Sequence, residues 1–415
     1  MEVMLTQDQE NAKNLIKEWF FNTDDSVFVL SGYAGTGKTF LIDYVVRNEL
    51  KLEIGKEAVF VSPTGKAAAN LSRCGTVAST LHSLIYIRDD EDFLVDEDGE
   101  VIPNRQLVFH KKSQIESAIR LIIVDEASMV NETMLHDLLS FGVKCLFSGD
   151  GAQLPPVNGI CPLMENPDYT MTEIVRQAAD NPIIKIATMA REGKRIPFGN
   201  YGDKVCVVGR SSFYGETRKR IFLSADQILC GRNKTRLSLN AEIREYLGIP
   251  ADAILPIDGE KLICTLNNWE KPLSDDFFLV NGVIGTAKNV REQHDGLATM
   301  EFQADFVKDS VNVVFDASIF TEREYRHLYG DRAITLSDGS VVHEGNFAAL
   351  HKLRSIAEEP ICRFEFAYAI TCHKAQGSEF DFVVVFDESW AFGEEKDRWL
   401  YTAITRAKDK LLIIR

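Results

Sequence analysis

Short apolar runs alternate with helix-forming stretches between residues 1 and 178 of the chain. Four of these runs have the length of buried strands: 27–30, 58–61, 121–124 and 143–147. Such runs, separated by helical patterns, are typical of a parallel sheet that is covered by helices. The pattern therefore predicts an α/β fold for this part of the chain.

The first helical stretch extends from Leu5 to Phe20. Thr6 is a suitable N-cap, and Gln9 lies three residues later, which completes a capping-box pattern. Capping is the structural interpretation of Gln9. A side-chain amide offers both a donor and an acceptor, so Gln9 can also read the edge of an adenine base. We expect the adenine contact, and capping remains compatible with it.

A second α/β pattern begins near Asn181. Its strand-like runs lie at 204–208, 228–230, 382–386 and 411–414. Its helical stretches include 182–192 and 234–246. Between residues 251 and 347 the chain has short β-like runs instead, with turns at 258–259, 281–282 and 338–339. This texture predicts a small β-barrel inserted into the second α/β domain.

Residues 88–113 interrupt the first α/β pattern in a similar way. The strand-like runs 93–95 (Phe-Leu-Val) and 100–102 (Glu-Val-Ile) flank Asp96-Glu97-Asp98-Gly99, and Asp-Gly is a strong hairpin signal. Because an isolated hairpin is marginally stable in water, we predict a projection that neighbouring elements brace, such as a wedge. The structural alternative is a surface loop without a role as a wedge.

Candidate chemistry begins directly after the first strand. Residues 32–39 read Gly-Tyr-Ala-Gly-Thr-Gly-Lys-Thr, which is the phosphate-binding pattern G-x-x-x-x-G-K-T between a strand and a helix. Glycines such as Gly35 and Gly37 let the backbone N–H groups around Thr36 converge on phosphate oxygens, and the helix N-terminus adds partial positive charge. We therefore predict a bound nucleoside triphosphate, ATP.

Four side chains supply the expected chemistry around that triphosphate. Lys38 should reach the β- and γ-phosphates, and the Thr39 hydroxyl should bind Mg²⁺. The third strand ends in Asp125 and Glu126, and parallel sheets present functional side chains at the carboxyl ends of their strands. Asp125 is a candidate Mg²⁺ ligand, and Glu126 is a candidate base for the attacking water.

Two further residues follow the last strands of the first pattern. Gln153 lies where a γ-phosphate sensor would follow the fourth strand. Arg176 comes after that sheet, where it could cross a cleft as an arginine finger. A lone arginine is more often a surface residue, which is the structural alternative.

Several polar segments are candidates for contact with a nucleic-acid backbone. Residues 62–69 and 79–84 join strands to helices and offer hydroxyls and helix-end N–H groups that suit phosphates. A lone His82 is more often structural. Residues 368–379 combine a strand, a basic and polar turn and a glycine, and residues 401–408 carry an arginine on a helix before the last strand.

The composition narrows the class of protein without deciding the substrate. The chain has 415 residues, 45% hydrophobic and 26% charged, which predicts two to four globular domains. Its eight cysteines include no C-x-x-C pair, and no signal-peptide pattern is visible, so we expect the reducing cytoplasm of a bacterium or of its phage-infected cell. The net charge of −16 does not exclude nucleic acid, because a groove needs only local complementarity.

The ordered motifs resemble those of superfamily 1 helicases, specifically the RecD-like and Dda-like branch. The resemblance covers most of the chain, because nine stretches follow the family order: 5–9, 32–39, 62–69, 79–84, 124–128, 149–156, 172–177, 371–379 and 401–408. One such motif is weak evidence, whereas nine in order are strong.

The resemblance implies two RecA-like P-loop domains with ATP in the cleft between them. The first would comprise residues 1–87 and 114–178, and the second would comprise residues 179–250 and 348–415. Residues 88–113 would form a β-hairpin pin in the first domain, and residues 251–347 would form an SH3-like β-barrel in the second.

The resemblance also implies roles for individual residues. Arg176 and Arg406 would contact the γ-phosphate, Gln153 would couple hydrolysis to DNA, and Gly377 and Glu379 would lie near the nucleotide. The residues along the DNA strand would be Pro63, Thr64, Thr80, His82, Thr371, His373 and Lys374.

As to function, the resemblance implies an ATP-driven helicase that moves 5′→3′ on single-stranded DNA and opens forked or 5′-tailed duplexes. We expect a monomer that works without a membrane, alongside a single-strand-binding or replication protein. Three alternatives stay open: a translocase that displaces proteins but unwinds weakly, suggested by the acidic tip at 96–98; an RNA helicase of the same superfamily; and a nucleotide-gated binding switch.

Overall fold

The structure is a computed structural model that describes residues 4–73, 76–88, 93–95, 101–103, 109–155, 162–274, 277–293, 297–320, 333–335, 341–343 and 361–415. The chain divides into two compact units. Unit 1 comprises Met1–Arg236 and Ile370–Arg415, and unit 2 comprises Leu237–Ala369.

The helices follow the predicted pattern closely. The α-helices are α1 (Gln7–Asn22), α2 (Lys38–Tyr44), α3 (Gly65–Arg73), α4 (Leu81–Ile85), α5 (Glu132–Leu139), α6 (Arg176–Ala179), α7 (Pro182–Arg191), α8 (Gly215–Ser224), α9 (Asn233–Tyr246) and α10 (Lys396–Ile404). A π-helical segment, Val45–Leu50, continues α2. The short 3₁₀ helices among the described residues are Ala127–Met129, Pro162–Met164, Arg210–Ser212, Ala317–Phe320, His373–Ala375 and Ser389–Glu395. No helix among the described residues is both long and apolar enough to cross a bilayer.

In the described part of the chain, the strands form three six-stranded sheets and four two-stranded ones. In chain order they are β1 (Val27–Gly32), β2 (Ala58–Ser62), β3 (Ala78–Thr80), β4 (Tyr86–Arg88), β5 (Phe93–Val95), β6 (Val101–Pro103), β7 (Phe109–Lys111), β8 (Leu121–Val124), β9 (Lys144–Gly149), β10 (Tyr169–Met171), β11 (Gly199–Tyr201), β12 (Val205–Val208), β13 (Gln227–Cys230), β14 (Lys261–Cys264), β15 (Asn268–Pro272), β16 (Phe278–Leu279), β17 (Ile284–Glu292), β18 (Leu297–Ala304), β19 (Val311–Asp316), β20 (Ala333–Thr335), β21 (Val341–His343), β22 (Ile361–Cys362), β23 (Phe364–Phe366), β24 (Ala369–Thr371), β25 (Phe380–Phe386) and β26 (Ala407–Ile414).

The first sheet of unit 1 has the order β10-β1-β9-β8-β2-β3, and all of its strand pairs are parallel. Its central strand β8 is buried along its whole length, as the apolar run at 121–124 predicts for a strand covered on both faces. Parallel pairing brings the carboxyl ends of β1, β2, β8 and β9 to one edge, which is where the candidate chemical residues follow.

Helix α1 confirms the predicted amphipathic helix, shifted by two residues. Thr6 is its N-cap, and the Thr6 and Gln9 side chains form the reciprocal capping box. The Asp8 carboxylate accepts hydrogen bonds from the backbone N–H groups of Thr172 and Glu173, at 2.6 and 2.8 Å, which attach the helix to the segment after β10.

The second sheet of unit 1 has the order β11-β12-β26-β25-β13-β24. The β12–β26, β25–β26 and β13–β25 pairs are parallel, and β11 is an antiparallel edge strand. The two sheets, in which parallel pairs predominate, confirm the α/β class of the sequence prediction. The RecA-like description of each stays a prediction.

Unit 2 has its own six-stranded sheet, of order β22-β19-β18-β17-β14-β23, which is antiparallel apart from the β19–β22 pair. The sheet includes Ile361–Cys362 and Phe364–Phe366, which lie beyond the predicted insertion boundary at 347. Phe364 is fully buried in the core of this sheet, and this burial is the physical reason for its membership. The SH3-like description and the domain boundaries stay predictions.

The region of the predicted pin contains two antiparallel ladders. Strands β4 and β7 pair with one another, and β5 pairs with β6 beyond them. The acidic tip at 96–98 lies outside the described residues, as does the predicted turn at 338–339. The role of the hairpin as a pin stays a prediction.

The sheet of unit 2 contains a glycine that tolerates no side chain. A Cβ on Gly285, in β17, would lie 2.2 Å from the Gln303 carbonyl oxygen and 2.7 Å from the Phe302 ring. Since the nearest atom belongs to the backbone of the neighbouring strand, Gly285→Ala should destabilise the protein by about 3 kcal/mol. The loss of unfolding free energy is measured by urea unfolding, followed spectroscopically.

The matched control is Gly282→Ala. Nothing lies within 4 Å of a Cβ at that position, and only its φ of +92° opposes the substitution, so a loss of about 1 kcal/mol is expected. Equal losses from the two variants would contradict the close strand approach at Gly285.

Candidate functional site

The phosphate-binding loop joins β1 to α2 with two glycines in left-handed conformations. Gly35 has a φ of +84° and Gly37 a φ of +78°. A Cβ on Gly37 would lie 2.7 Å from the Gln9 amide nitrogen, and one on Gly35 would lie 3.2 Å from Ala178. The motif therefore has glycine at these positions both for backbone conformation and for close packing.

A cavity of about 540 Å³ opens beside this loop in unit 1. It is lined from the first sheet and also from the segments around β25 and α10 of the second. Most of the predicted nucleotide and catalytic residues line it together: Gly35, Gly37, Lys38, Thr39, Asp125, Glu126, Gln153, Gly377, Glu379 and Arg406. Residues from both ends of the chain thus meet around one space.

Lys38 and Asp125 line the cavity close to each other. The Lys38 ammonium donates hydrogen bonds to the Gly32 and Tyr33 carbonyl oxygens, at 2.5 and 3.4 Å. Burial raises the pKa of Asp125, and the nearby Lys38 charge opposes that rise. The site therefore sets one cation and one carboxyl group close to each other at the end of β8.

Glu126 has an unusual backbone conformation. Its φ of +54° and ψ of +41° are left-handed, which non-glycine residues seldom adopt. Burial raises the pKa of its carboxyl group, while the Arg406 charge acts in the opposite direction. The turn thus directs a desolvated carboxyl group into the cavity at a modest cost in backbone strain.

Arg406 is 3% exposed and lies just after α10. Its guanidinium donates to the Thr402 carbonyl, the Ser378 carbonyl and the Thr405 hydroxyl, at 3.2 to 3.3 Å. These bonds hold the group on the wall of the cavity. Arg176 begins α6, but its side chain lies outside the described residues.

The Gln9 amide is occupied on both sides. Its oxygen accepts from the Thr6 N–H at 3.0 Å, and its nitrogen donates to the Thr36 carbonyl of the phosphate-binding loop at 3.1 Å. Gln9 and Thr36 are 3% and 0% exposed. The structural interpretation of Gln9 is therefore realised, and adenine recognition by Gln9 stays a prediction.

Gln153 and Glu379 approach the cavity from different strand ends. The Gln153 amide nitrogen donates to Asp150 at 3.4 Å, and Glu379 lies 3.4 Å from the Lys408 ammonium. A γ-phosphate sensor and a ribose contact are compatible with these positions, and both roles stay predictions.

The sequence did not indicate the hydrogen bonds that join the two halves of the site. The Tyr401 hydroxyl, on α10, accepts from the Ala34 N–H at 2.8 Å and donates to the Asp150 carboxylate at 2.5 Å. Burial raises the pKa of Tyr401, so the hydroxyl stays protonated. Tyr401 lies within the motif at 401–408, but no spacing in the chain connects it with residues that precede it by more than 250 positions.

A second pair of bonds encloses Leu154, the residue after Gln153. Its backbone N–H donates to the Thr402 hydroxyl at 2.8 Å, and its carbonyl accepts from the Gln376 amide at 2.7 Å. Both partners belong to the second half of the site. The segment from Asp150 to Leu154 is therefore held by two separate elements.

The predicted nucleic-acid contacts follow three strands. Thr64 follows β2, and its hydroxyl accepts from the Ala67 N–H at 3.3 Å. Thr80 ends β3, is 7% exposed and caps α4 by accepting from the Ser83 N–H at 3.1 Å. Both hydroxyls thus have structural roles at helix starts.

The two histidines of this set are partly buried. Desolvation lowers the pKa of His82 to about 4, and its ring packs 4.6 Å from that of Tyr86. Burial also lowers the pKa of His373, in the short helix after β24. Both imidazoles are therefore neutral near pH 7. The remaining members of the set, Pro63, Thr371 and Lys374, lie in the same connections after β2 and at the end of β24.

The donor set at the cavity suits Mg²⁺. Thr39 and Asp125 both line the cavity and supply a hydroxyl and a carboxylate, which are oxygen ligands of the kind that Mg²⁺ prefers. The described residues contain no group of three or more His, Cys, Asp or Glu side chains that could hold a metal ion. Two protein ligands beside phosphates and water are what Mg²⁺ needs in a nucleotide site.

Two family models match the chain: an AAA domain over residues 4–209 and a UvrD-like helicase C-terminal domain over residues 366–414. The chain is 26% identical over 391 residues to the ATP-dependent RecD2 DNA helicase of Deinococcus radiodurans, covering 92% of this chain and 46% of that protein. It is 24% identical over 434 residues to the ATP-dependent DNA helicase Pif1 of Campylobacter jejuni, covering 92% and 87%. The crystal structure of Pif1 helicase from Candida albicans matches with a TM-score of 0.48 and 18% identity, over 100% of this chain and 95% of the other.

The chain thus spans about half the length of the RecD2 relative and most of the Pif1 relative. The two family models between them contain the residues that line the cavity, from the phosphate-binding loop to Arg406. The sequence matches support a place for this chain among the RecD/Pif1-like helicases of superfamily 1.

Proposed function

We propose that this chain is an ATP-dependent DNA helicase that moves 5′→3′ along a single strand and separates duplex DNA ahead of it. The observation that carries the proposal is that Lys38, next to the first sheet, and Arg406, next to the second, line one cavity. A terminal phosphate held from both sides links the two sheets through the nucleotide, so hydrolysis can open and close the cleft.

The residues around the cavity supply the parts of phosphoryl transfer. Thr39 and Asp125 would hold Mg²⁺, which neutralises phosphate charge when it is bound. The Glu126 carboxylate accepts a proton from the attacking water, while Lys38 and Arg406 stabilise the negative charge that develops on the phosphate. Arg176 would add a second guanidinium from the start of α6.

The bonds of Tyr401 and Thr402 provide a route from the nucleotide to the strand. Tyr401 connects the phosphate-binding loop to Asp150, and Thr402 and Gln376 hold Leu154. Gln376 belongs to the same segment as His373 and Lys374, which we assign to the DNA strand. A change at the phosphate can thus be transmitted to the DNA contacts through one hydrogen-bonded set.

The strand ends of both sheets supply the DNA path. Pro63, Thr64 and His82 follow strands of the first sheet, and the residues from Thr371 to Lys374 follow β24 of the second. A Cβ on Gly377 would lie 3.0 Å from the Thr64 hydroxyl, so the two groups are close neighbours. The direction of movement comes from the family, since the RecD-like and Dda-like branch moves 5′→3′.

The test of the proposed function is unwinding of duplexes that carry a 5′ or a 3′ single-stranded tail. We expect strand separation of the 5′-tailed substrate only, because the enzyme must load on a strand that it can follow toward the duplex. A labelled strand released in the presence of ATP and Mg²⁺ is the measurement.

Lys38→Ala is the control, because removal of the phosphate-binding ammonium should abolish both hydrolysis and unwinding. Unwinding of only the 3′-tailed duplex would overturn the polarity. Unwinding by Lys38→Ala at the normal rate would overturn the assignment of the nucleotide site. Stimulation of ATPase activity by RNA but not by DNA would favour the RNA helicase.

Removal of the Tyr401 hydroxyl should weaken the coupling between DNA and ATP hydrolysis without preventing ATP binding. In Tyr401→Phe the Ala34 N–H and the Asp150 carboxylate lose a buried partner. This loss destabilises the arrangement in which Arg406 and Lys38 line one cavity by about 1–3 kcal/mol. We therefore expect the DNA-stimulated kcat to fall about tenfold, with little change in KM for ATP. Steady-state phosphate release measures both.

Tyr201→Phe is the matched control, because the Tyr201 hydroxyl donates to the Pro197 carbonyl on an exposed edge of the second sheet. It should keep wild-type kinetics. Unchanged kcat in Tyr401→Phe would exclude its hydroxyl from the coupling.

The neutral His82 predicts a defined dependence of stability on pH. Unfolding exposes an imidazole with a pKa near 6.5, while the folded protein holds it at about 4, so the unfolded state binds more protons as the pH falls through this window. Stability is therefore lost on acidification, by about 2 kcal/mol from this group at pH 5. Urea unfolding at pH 7.5 and pH 5 should show a smaller loss in His82→Asn by this amount.

His136, whose side chain is 84% exposed, provides the control: His136→Asn should lose as much stability as the wild type. If the His82→Asn and wild-type profiles coincide, the imidazole has an ordinary pKa.

A further inference from the structure

Trp390 is a large aromatic residue that the site described so far does not use. It is 63% exposed, although indole rings usually bury most of their surface in a folded protein. It lies in the short helix Ser389–Glu395 that follows β25. Trp19 and Trp399, by contrast, are 4% and 0% exposed.

The exposed Trp390 ring is supported by the side chain of Arg232. The Arg232 guanidinium carbon lies 4.9 Å from the centre of the Trp390 ring, which is a cation–π contact. Arg232 is itself fixed by Glu388, whose carboxylate accepts from the arginine Nε and Nη2 at 2.8 and 2.7 Å. Glu388 is 1% exposed, so the support under the ring is anchored in the protein.

The other aromatic residue of the same loop is half-buried and packs against neighbouring rings. Phe392 stacks on Trp399 with ring centres 5.4 Å apart and lies 5.7 Å from the His373 ring. A Cβ on Gly231 would come within 2.8 Å of the Phe392 ring. The loop is therefore packed firmly by Phe392 while the Trp390 ring stays accessible.

The position of the ring relates it to the DNA path. In the second sheet, β13 lies between β25 and β24. Trp390 follows β25, Arg232 follows β13, and His373 follows β24. Three adjacent strand connections thus carry, side by side, an accessible indole, its supporting guanidinium and a predicted DNA contact.

We propose that Trp390, supported by Arg232, is a stacking platform for one base of the bound single strand. The inference rests on the proposed function and extends it to a base contact. Every base has a π-face, so a stacking platform of this kind is tolerant of sequence, which suits a protein that moves along DNA. The surface also suits a nucleic acid better than an apolar protein partner, because a guanidinium and the polar end of the strand connections border the ring.

The test compares the affinity of the full chain for fluorescein-labelled oligo(dT) and for an abasic oligonucleotide of the same length. Trp390→Ala should weaken binding of oligo(dT) about tenfold and should change binding of the abasic strand little. Trp390→Phe should restore part of the affinity, since the smaller ring still stacks. Phe198→Ala is the matched control, because Phe198 is also 63% exposed but precedes the opposite edge strand β11, and it should bind as the wild type does.

Salt dependence distinguishes stacking from a charge effect. A stacking contact releases no counterions, so Trp390→Ala should keep the wild-type slope of log K against log salt, whereas Lys374→Ala should reduce it. A second readout is acrylamide quenching of tryptophan fluorescence. Oligo(dT) should reduce the quenching in the wild type, and most of this reduction should be absent in Trp390→Phe.

The outcomes separate the inference from the proposed function. Wild-type affinity of Trp390→Ala for oligo(dT), or equal losses for oligo(dT) and the abasic strand, would overturn the stacking platform alone and leave a protein contact as the use of the ring. Failure of the wild-type chain to bind either strand would overturn the proposed function, and the platform with it.

Discussion

The nucleotide site depends on the meeting of two distant parts of the chain around one cavity. Lys38 and Glu126 come from the first sheet, and Arg406 comes from the end of α10 beside the second. Buried hydrogen bonds from Tyr401 and Thr402 to Ala34, Asp150 and Leu154 join the two parts. Because a buried polar group without a partner is costly, these bonds couple the two sheets strongly when they are formed.

This constraint explains why the conformation of a few residues is unusual. Gly35 and Gly37 adopt positive φ so that the loop can turn against Gln9 and Ala178, and Glu126 does so without being a glycine. Strain of this kind persists where the surrounding structure determines the conformation. The one non-glycine residue of this set, Glu126, therefore holds its backbone strain next to the atoms that are proposed to act on phosphate.

The acidic balance of the chain and its proposed use of DNA are compatible for a local reason. The net charge of −16 describes the whole molecule, whereas the proposed path uses helix starts, hydroxyls, neutral imidazoles and Lys374 at the strand ends. Neutral His82 and His373 are able to donate hydrogen bonds to such a path without adding charge. A path of this composition relies on backbone geometry and stacking more than on a broad positive field.

The sequence by itself determined the parts that depend on local chemistry. The strand-sized apolar runs, the glycine loop, the two carboxylates after β8 and the capping box of α1 were all readable, because each depends on residues within a few positions of one another. The motif order gave the family, and the texture of residues 251–347 indicated a separate β-rich unit.

Only the tertiary structure decided which of these residues meet. It showed that the Gln9 amide nitrogen is bound to the Thr36 carbonyl and that the inserted sheet takes in strands up to Phe366. It also revealed that Tyr401 connects two parts of the site and that the accessible Trp390 ring lies against Arg232, which is paired with the buried Glu388. The Tyr401 and Trp390 contacts join residues that are more than a hundred positions apart. No periodicity or spacing in a single chain encodes which distant partners the packing of two sheets will bring together.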